Sequence, residues 1–113
     1  MATPENKVKA RVDKMLSQLG VWFFSPQAGP FGRAGIPDRI VCVAGSFVGI
    51  EVKADRTKKP TRLQVQCMAK ITASGGRCFV VYDDETLAEA KAYITEVLSA
   101  SRRASEGSSS QTE

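Results

Sequence analysis

The sequence predicts an α/β domain, a small mixed β-sheet flanked by helices in the order α-β-β-β-α-β-α. Three observations lead there. Apolar residues recur at helical spacing in three segments, whereas other segments are short, continuous apolar runs of strand length. Glycine- and proline-containing stretches separate the two kinds. At 113 residues the chain is long enough for one domain with one real core.

Thr3-Pro4-Glu5 opens the first helix with a capping hydroxyl, a proline in the first turn and an acid. Val8, Val12, Met15, Leu16 and Leu19 then share one face, and Gly20 is the stop. Val21–Phe24 is a short β-like run. Residues 25–35 hold two prolines and three glycines and form a loop, of a length that is often functional in compact domains. Arg39–Ala44 and Phe47–Ala54 read as a hairpin turning at Gly45-Ser46. Asp55–Pro60 is a basic turn. Thr61–Ser74 reads as a helix with Leu63, Cys67, Met68 and Ile71 on its apolar side. Arg77–Tyr82 is a buried strand. Thr86–Ser99 is an amphipathic helix using Leu87, Ala90, Ile94, Val97 and Leu98. The domain is expected to span 1–100, and the Ser-rich, charged stretch 101–113 to be a disordered tail.

Composition removes several chemistries. The chain has no histidine, which excludes Ser-His-Asp and Cys-His catalysis and any nuclease built on a histidine base. Cys42, Cys67 and Cys78 are odd in number and scattered, which argues against a disulfide framework or a cysteine zinc site; Cys42 is expected as a small buried hydrophobe. Neither a membrane-length apolar run nor a secretory signal is present, so the expected location is the cytoplasm. Catalysis would then rest on carboxylates, lysine or a metal held by oxygen. Residues 1–82 carry 13 Lys/Arg against 5 Asp/Glu, while residues 83–113 carry 3 against 7. A basic body of this kind suits a polyanionic partner such as nucleic acid.

The segment Gly35–Lys53 concentrates the interest. With a turn at Gly45-Ser46, Asp38 lies opposite Lys53 and Ile40 opposite Glu51. Alternation then gives one apolar face, Val41, Val43, Val48, Ile50 and Val52, and a second face with Asp38, Ile40, Cys42, Gly49, Glu51 and Lys53. Three charges converge at the open end of the hairpin. Two nearby carboxylates each prefer a cation, and Mg²⁺ takes carboxylate and carbonyl oxygens while keeping several waters. A metal-polarised water can attack a phosphodiester. Lys53 can orient that water, accept its proton or stabilise charge on phosphate. The alternative from these residues alone is an ion-pair cluster on a solvated face.

Pro37-Asp38 followed by Glu51-Val52-Lys53 matches the PD-(D/E)xK signature. With Gly35-Ile36-Pro37-Asp38-Arg39-Ile40, the hairpin, Ile50-Glu51-Val52-Lys53, the basic turn, Thr61-Arg62-Leu63-Gln64, Gly75 and Phe79-Val80-Val81 in order, residues 5–82 resemble the VRR-NUC family of nucleases. The resemblance implies a restriction-endonuclease-like core that cuts DNA with Mg²⁺ or Mn²⁺. It implies metal ligation by Asp38, Glu51 and the carbonyl of Val52, with Glu5 completing the site, and Lys53 as the catalytic lysine. Gln64 would orient that lysine or the phosphate. Small stand-alone members resemble Holliday-junction resolvases acting as homodimers on branched DNA, and the chain length fits that type.

Gln27, Arg33, Arg39, Lys58, Lys59 and Arg62 are the candidate phosphate contacts. Lys7, Lys9, Arg11 and Lys14 read as a solvated helix face. Trp22, Phe23 and Phe24 read as core or dimer contact. The competing functions are a non-catalytic nucleic-acid-binding module and, among nucleases, a nickase or restriction-like enzyme.

Overall fold

The computed structural model describes residues 2–27 and 34–109. Seven elements follow in the expected order: α1 (Pro4–Leu19), β1 (Trp22–Phe24), β2 (Arg39–Val43), β3 (Ser46–Val52), α2 (Arg62–Ala73), β4 (Arg77–Val81) and α3 (Asp84–Ser109). The strands form one mixed sheet in the order β1-β2-β3-β4. The first two pairings are antiparallel, and β3 pairs with β4 in parallel. A parallel pair needs a crossover connection, which α2 supplies.

Local chemistry sets the helix starts. The Thr3 hydroxyl accepts from the Asn6 N–H at 3.1 Å. At α2 the Thr61 hydroxyl accepts from Gln64 N–H, while Gln64 Oε1 accepts from Thr61 N–H at 2.8 Å, a complete capping box.

The hairpin turns one residue earlier than expected. Val43 pairs with Ser46, so the loop is Ala44-Gly45, and both central residues have positive φ, 50° and 85°. That is the requirement of a type I′ turn, whose twist matches the flanking strands. The expected pairs shift accordingly, Ile40 now facing Gly49 and Val41 facing Val48. Each residue's partner moves by two positions, so every side chain keeps its predicted face.

The closed face of the sheet is the core. Val41, Val43, Val48, Ile50 and Val81 are 0 % exposed and join Val12, Leu16, Ala90 and Ile94 of α1 and α3 in one cluster. Phe23, Leu87, Val97 and Leu98 pack against it. The opposite face is covered unevenly. α2 packs against β4 and buries none of its own residues completely. Two expectations therefore change: Cys42 is exposed and Leu63 is 54 % exposed. Trp22 and Phe24, expected as core or dimer contact, stay outside the core at 63 % and 45 %. A groove of about 520 Å³ remains between α2 and the sheet, edged by Ile40, Phe47, Leu63 and Cys67.

α3 begins at Asp84, before the expected Thr86, and continues through residues 101–109, where the sequence suggested a disordered tail. Arg102, Arg103, Ala104 and Glu106 are good helix formers, and Arg103 reaches back to Glu96 at 3.1 Å. No helix among the described residues is long and apolar enough to cross a membrane.

Candidate active site

The site forms where the open end of the β2–β3 hairpin meets α1 and α2. Pro37 is buried and lies over Gly49, where an added Cβ would come within 2.9 Å of the proline ring. The absence of a side chain at Gly49 thus lets Pro37 dock and fixes the following residue, Asp38. The carboxylate of Asp38 accepts from the backbone N–H of Val52 through Oδ2 at 2.7 Å. It thereby caps β3 where β2 has ended. The same contact brings Val52 beside Asp38.

Glu51 projects from β3 onto the same side and is 2 % exposed. Its Oε2 lies 3.3 Å from Lys53 Nζ. Its Oε1 is buried without a hydrogen-bond partner. Burial, reinforced by the negative charge of Asp38 and opposed by Lys53, pushes Glu51 up to about 7. A buried carboxylate oxygen without a donor is costly and calls for explanation.

Lys53 is held from both sides. Besides Glu51, its ammonium donates to Gln64 Oε1 at 3.0 Å. That oxygen also closes the capping box of α2, so the helix N-terminus and the lysine share one acceptor. An ammonium has three donors; two protein partners leave one for a third group.

Lys9 also belongs to the site, which its pattern on a polar helix face did not reveal. Its Nζ lies 3.4 Å from Glu5 Oε2 and 3.7 Å from Asp38 Oδ1. Glu5 therefore reaches the cluster through Lys9. Among the described residues no three Cys, Asp or Glu side chains gather closely enough to hold a metal by themselves. Two carboxylates and the Val52 carbonyl nevertheless make a hard-oxygen donor set of the kind Mg²⁺ uses, with water filling the remaining positions. The unpartnered Glu51 Oε1 is the observation that fits such an ion.

The candidate phosphate contacts divide. Lys58, Lys59 and Arg62 are exposed, on the turn after β3 and the first residue of α2. Gln27 is exposed at the end of the segment after β1, and Arg33 lies outside the described residues. Arg39 is a correction. It is 8 % exposed and bonds Asp13 through Nε and Nη2 at 2.6 and 3.0 Å. Its Nη1 donates to Ser25 Oγ and to the Asp38 carbonyl, both at 2.8 Å. Its neighbours in the closed-face row are Val41 and Val43, so the guanidinium is spent inside the protein, anchoring the peptide of Asp38 to α1. The tie to Asp13 spans 26 residues, and no local sequence pattern signals it.

No protein-family model matches the chain, and no curated protein matches it. A solved structure described as a VRR_NUC domain does, with a TM-score of 0.68 and 27 % identity. The match covers 78 % of this chain and 94 % of that one. The chain thus carries the Pro37-Asp38 and Glu51-Val52-Lys53 signature at the open end of one hairpin, on a fold that is similar to that VRR_NUC domain over most of both chains.

Proposed function

We propose that this protein is a metal-dependent, structure-selective DNA endonuclease of the Holliday-junction-resolving type. The observation that carries the proposal is the meeting of Asp38, Glu51 and Lys53 around a buried, unpartnered Glu51 oxygen. Two carboxylates aimed at a phosphodiester without a cation would repel it, whereas the same pair holding one would attract it.

Asp38, Glu51 and the Val52 carbonyl would hold Mg²⁺ or Mn²⁺, with Glu5 as an outer carboxylate. When bound, that ion supplies Lewis acidity and lowers the pKa of water. The chain's own residues do the rest. Lys53, fixed by Gln64 and Glu51, directs its remaining N–H at the scissile phosphate and stabilises the negative charge that grows there. Gln64 keeps that ammonium in place. Lys58, Lys59 and Arg62, with Gln27 and Arg33, would hold the DNA backbone and set its register without reading bases. Paired cuts need two sites, and a homodimer is the form that supplies them by symmetry. The exposed Trp22 and Phe24 of β1 and Phe47 of β3, on one face of the sheet to either side of β2, support that assembly.

The test is cleavage of four-way junction, flap, nicked and linear duplex DNA with each divalent metal, with the cuts mapped. Symmetric paired cuts in the junction are expected, lost on chelation and reduced about 10²–10³-fold by Lys53→Met in a folded protein. Undiminished cutting by folded Lys53→Met would overturn the site assignment. Metal-independent binding with no nicking of any substrate would make the protein a binding module.

A further inference from the structure

Lys9 stands apart from the residues that the nuclease signature contains. It lies in the second turn of α1, four residues after Glu5, an order that favours pairing along a helix. Yet its ammonium is not spent on Glu5 alone; it also faces Asp38 Oδ1 at 3.7 Å. Both separations, 3.4 and 3.7 Å, exceed those of a good hydrogen bond, so they are charge contacts without fixed geometry. Asp38 Oδ2, by contrast, is tied to the Val52 N–H at 2.7 Å. The firmly held oxygen of Asp38 is therefore the one on the backbone, and the loosely held one faces a lysine.

The charges around the cluster explain why a lysine would be there. Asp38 and Glu51 are two carboxylates on one side of the hairpin, and Glu5 joins them only through Lys9. Lys53 answers one of them, Glu51, at 3.3 Å. Lys9 answers the other two. We propose that Lys9 is a resident counter-cation of the metal site: it neutralises Asp38 and Glu5 in the metal-free protein and is displaced when a divalent cation binds. The inference rests on the reading of Asp38 and Glu51 as metal ligands. A divalent ion coordinated by Asp38 would lie within a few ångströms of the ammonium, and like charges at that range repel strongly in a partly desolvated site. The lysine moves away at little cost, because it is a flexible chain still about a quarter exposed and no hydrogen bond of normal length holds it. Lys9 thus tunes metal affinity downward and keeps the empty cluster from repelling itself.

The test is a Mn²⁺ titration by calorimetry of wild type, Lys9→Met, Lys9→Arg and Asp38→Asn, each checked for folding by circular dichroism. Lys9→Gln stands in for Lys9→Met should the latter fail to fold. Removing the charge should tighten Mn²⁺ binding on the order of tenfold. Lys9→Arg, which keeps the charge, should bind like wild type. Equal or weaker binding by Lys9→Met, with wild-type binding intact and abolished by Asp38→Asn, would overturn the role of Lys9 and leave the metal site standing. No Mn²⁺ binding by wild type, or binding indifferent to Asp38→Asn, would overturn the metal-site reading and this inference with it.

Discussion

Arg39 and Glu51 are the buried charged residues among those described, and they sit on opposite faces of one hairpin. Arg39 ends the closed face in the row of Val41 and Val43. Its guanidinium meets a carboxylate, a hydroxyl and a carbonyl, all within 3.0 Å. Glu51 lies on the other face beside Gly49, with one oxygen paired to Lys53 and the other to nothing. Burial costs both charges, but at Arg39 the bond to Asp13 outweighs it, whereas at Glu51 burial is the dominant influence. A charge whose partners are complete is a joint of the fold. A charge left incomplete calls for a partner, and on the function proposed above that partner is the metal ion. By that criterion the two faces have different tasks: one builds the hairpin and the other uses it.

Core truncation should expose this division most strongly. Ile50 is 0 % exposed on the closed face, and Ile50→Ala should cost about 2–5 kcal/mol in chemical denaturation. Phe47, on the other face and 44 % exposed, should cost less than about 1.5 kcal/mol when truncated to alanine. Equal losses at the two positions would mean that the open face is a second core.

Arg39→Ala should come next, at about 3 kcal/mol, the lower end for breaking a buried pair because Asp13 is partly exposed. Its effect should be on stability first. A variant with normal stability and weakened DNA binding would restore Arg39 as a phosphate contact.

The sign of the pH dependence sharpens the comparison further. Desolvation holds Glu51 up at about 7, against 4.5 for an ordinary glutamate. Between those values the folded metal-free protein keeps a proton that the unfolded chain has released. Its stability should therefore fall as pH rises from about 4.5 to about 7 and level off above, by roughly 3 kcal/mol in all. Glu51→Gln should remove that slope in urea titrations of the metal-free protein. A slope unchanged in the variant would assign it to another group.

How much of this was legible in the sequence follows from the same hairpin. The two faces were readable because alternation fixes them and the error in the turn was of even parity. The meeting of Asp38, Glu51 and Lys53 was readable because all three lie near the open end of one hairpin, whereas Gln64 came only from the family resemblance. Lys9 and Arg39 were not, because their partners are decided by how α1 packs. The open half of the second face was not readable either. Cys42 and Leu63 fit a buried pattern, and only the position of α2 over β4 leaves them exposed.

The smallest effect tests the turn itself. Ala44 occupies left-handed backbone with φ 50°, where its Cβ costs roughly 1–2 kcal/mol against glycine. Glycine gives back about 0.4–1 kcal/mol of that through the greater freedom of the unfolded chain. Ala44→Gly should therefore stabilise by about 0.5 kcal/mol. Ala44→Asn should match it, because asparagine tolerates this region and Asn-Gly is the preferred pair for a type I′ loop. Neither should alter cleavage, since the turn lies at the opposite end of β2 and β3 from Asp38 and Lys53. Had the loop been Gly45-Ser46, Ala44 would be a strand residue with ordinary φ, and both substitutions would destabilise. The sign of a half-kilocalorie change, measured by thermal melts on both variants, thus separates the two registers.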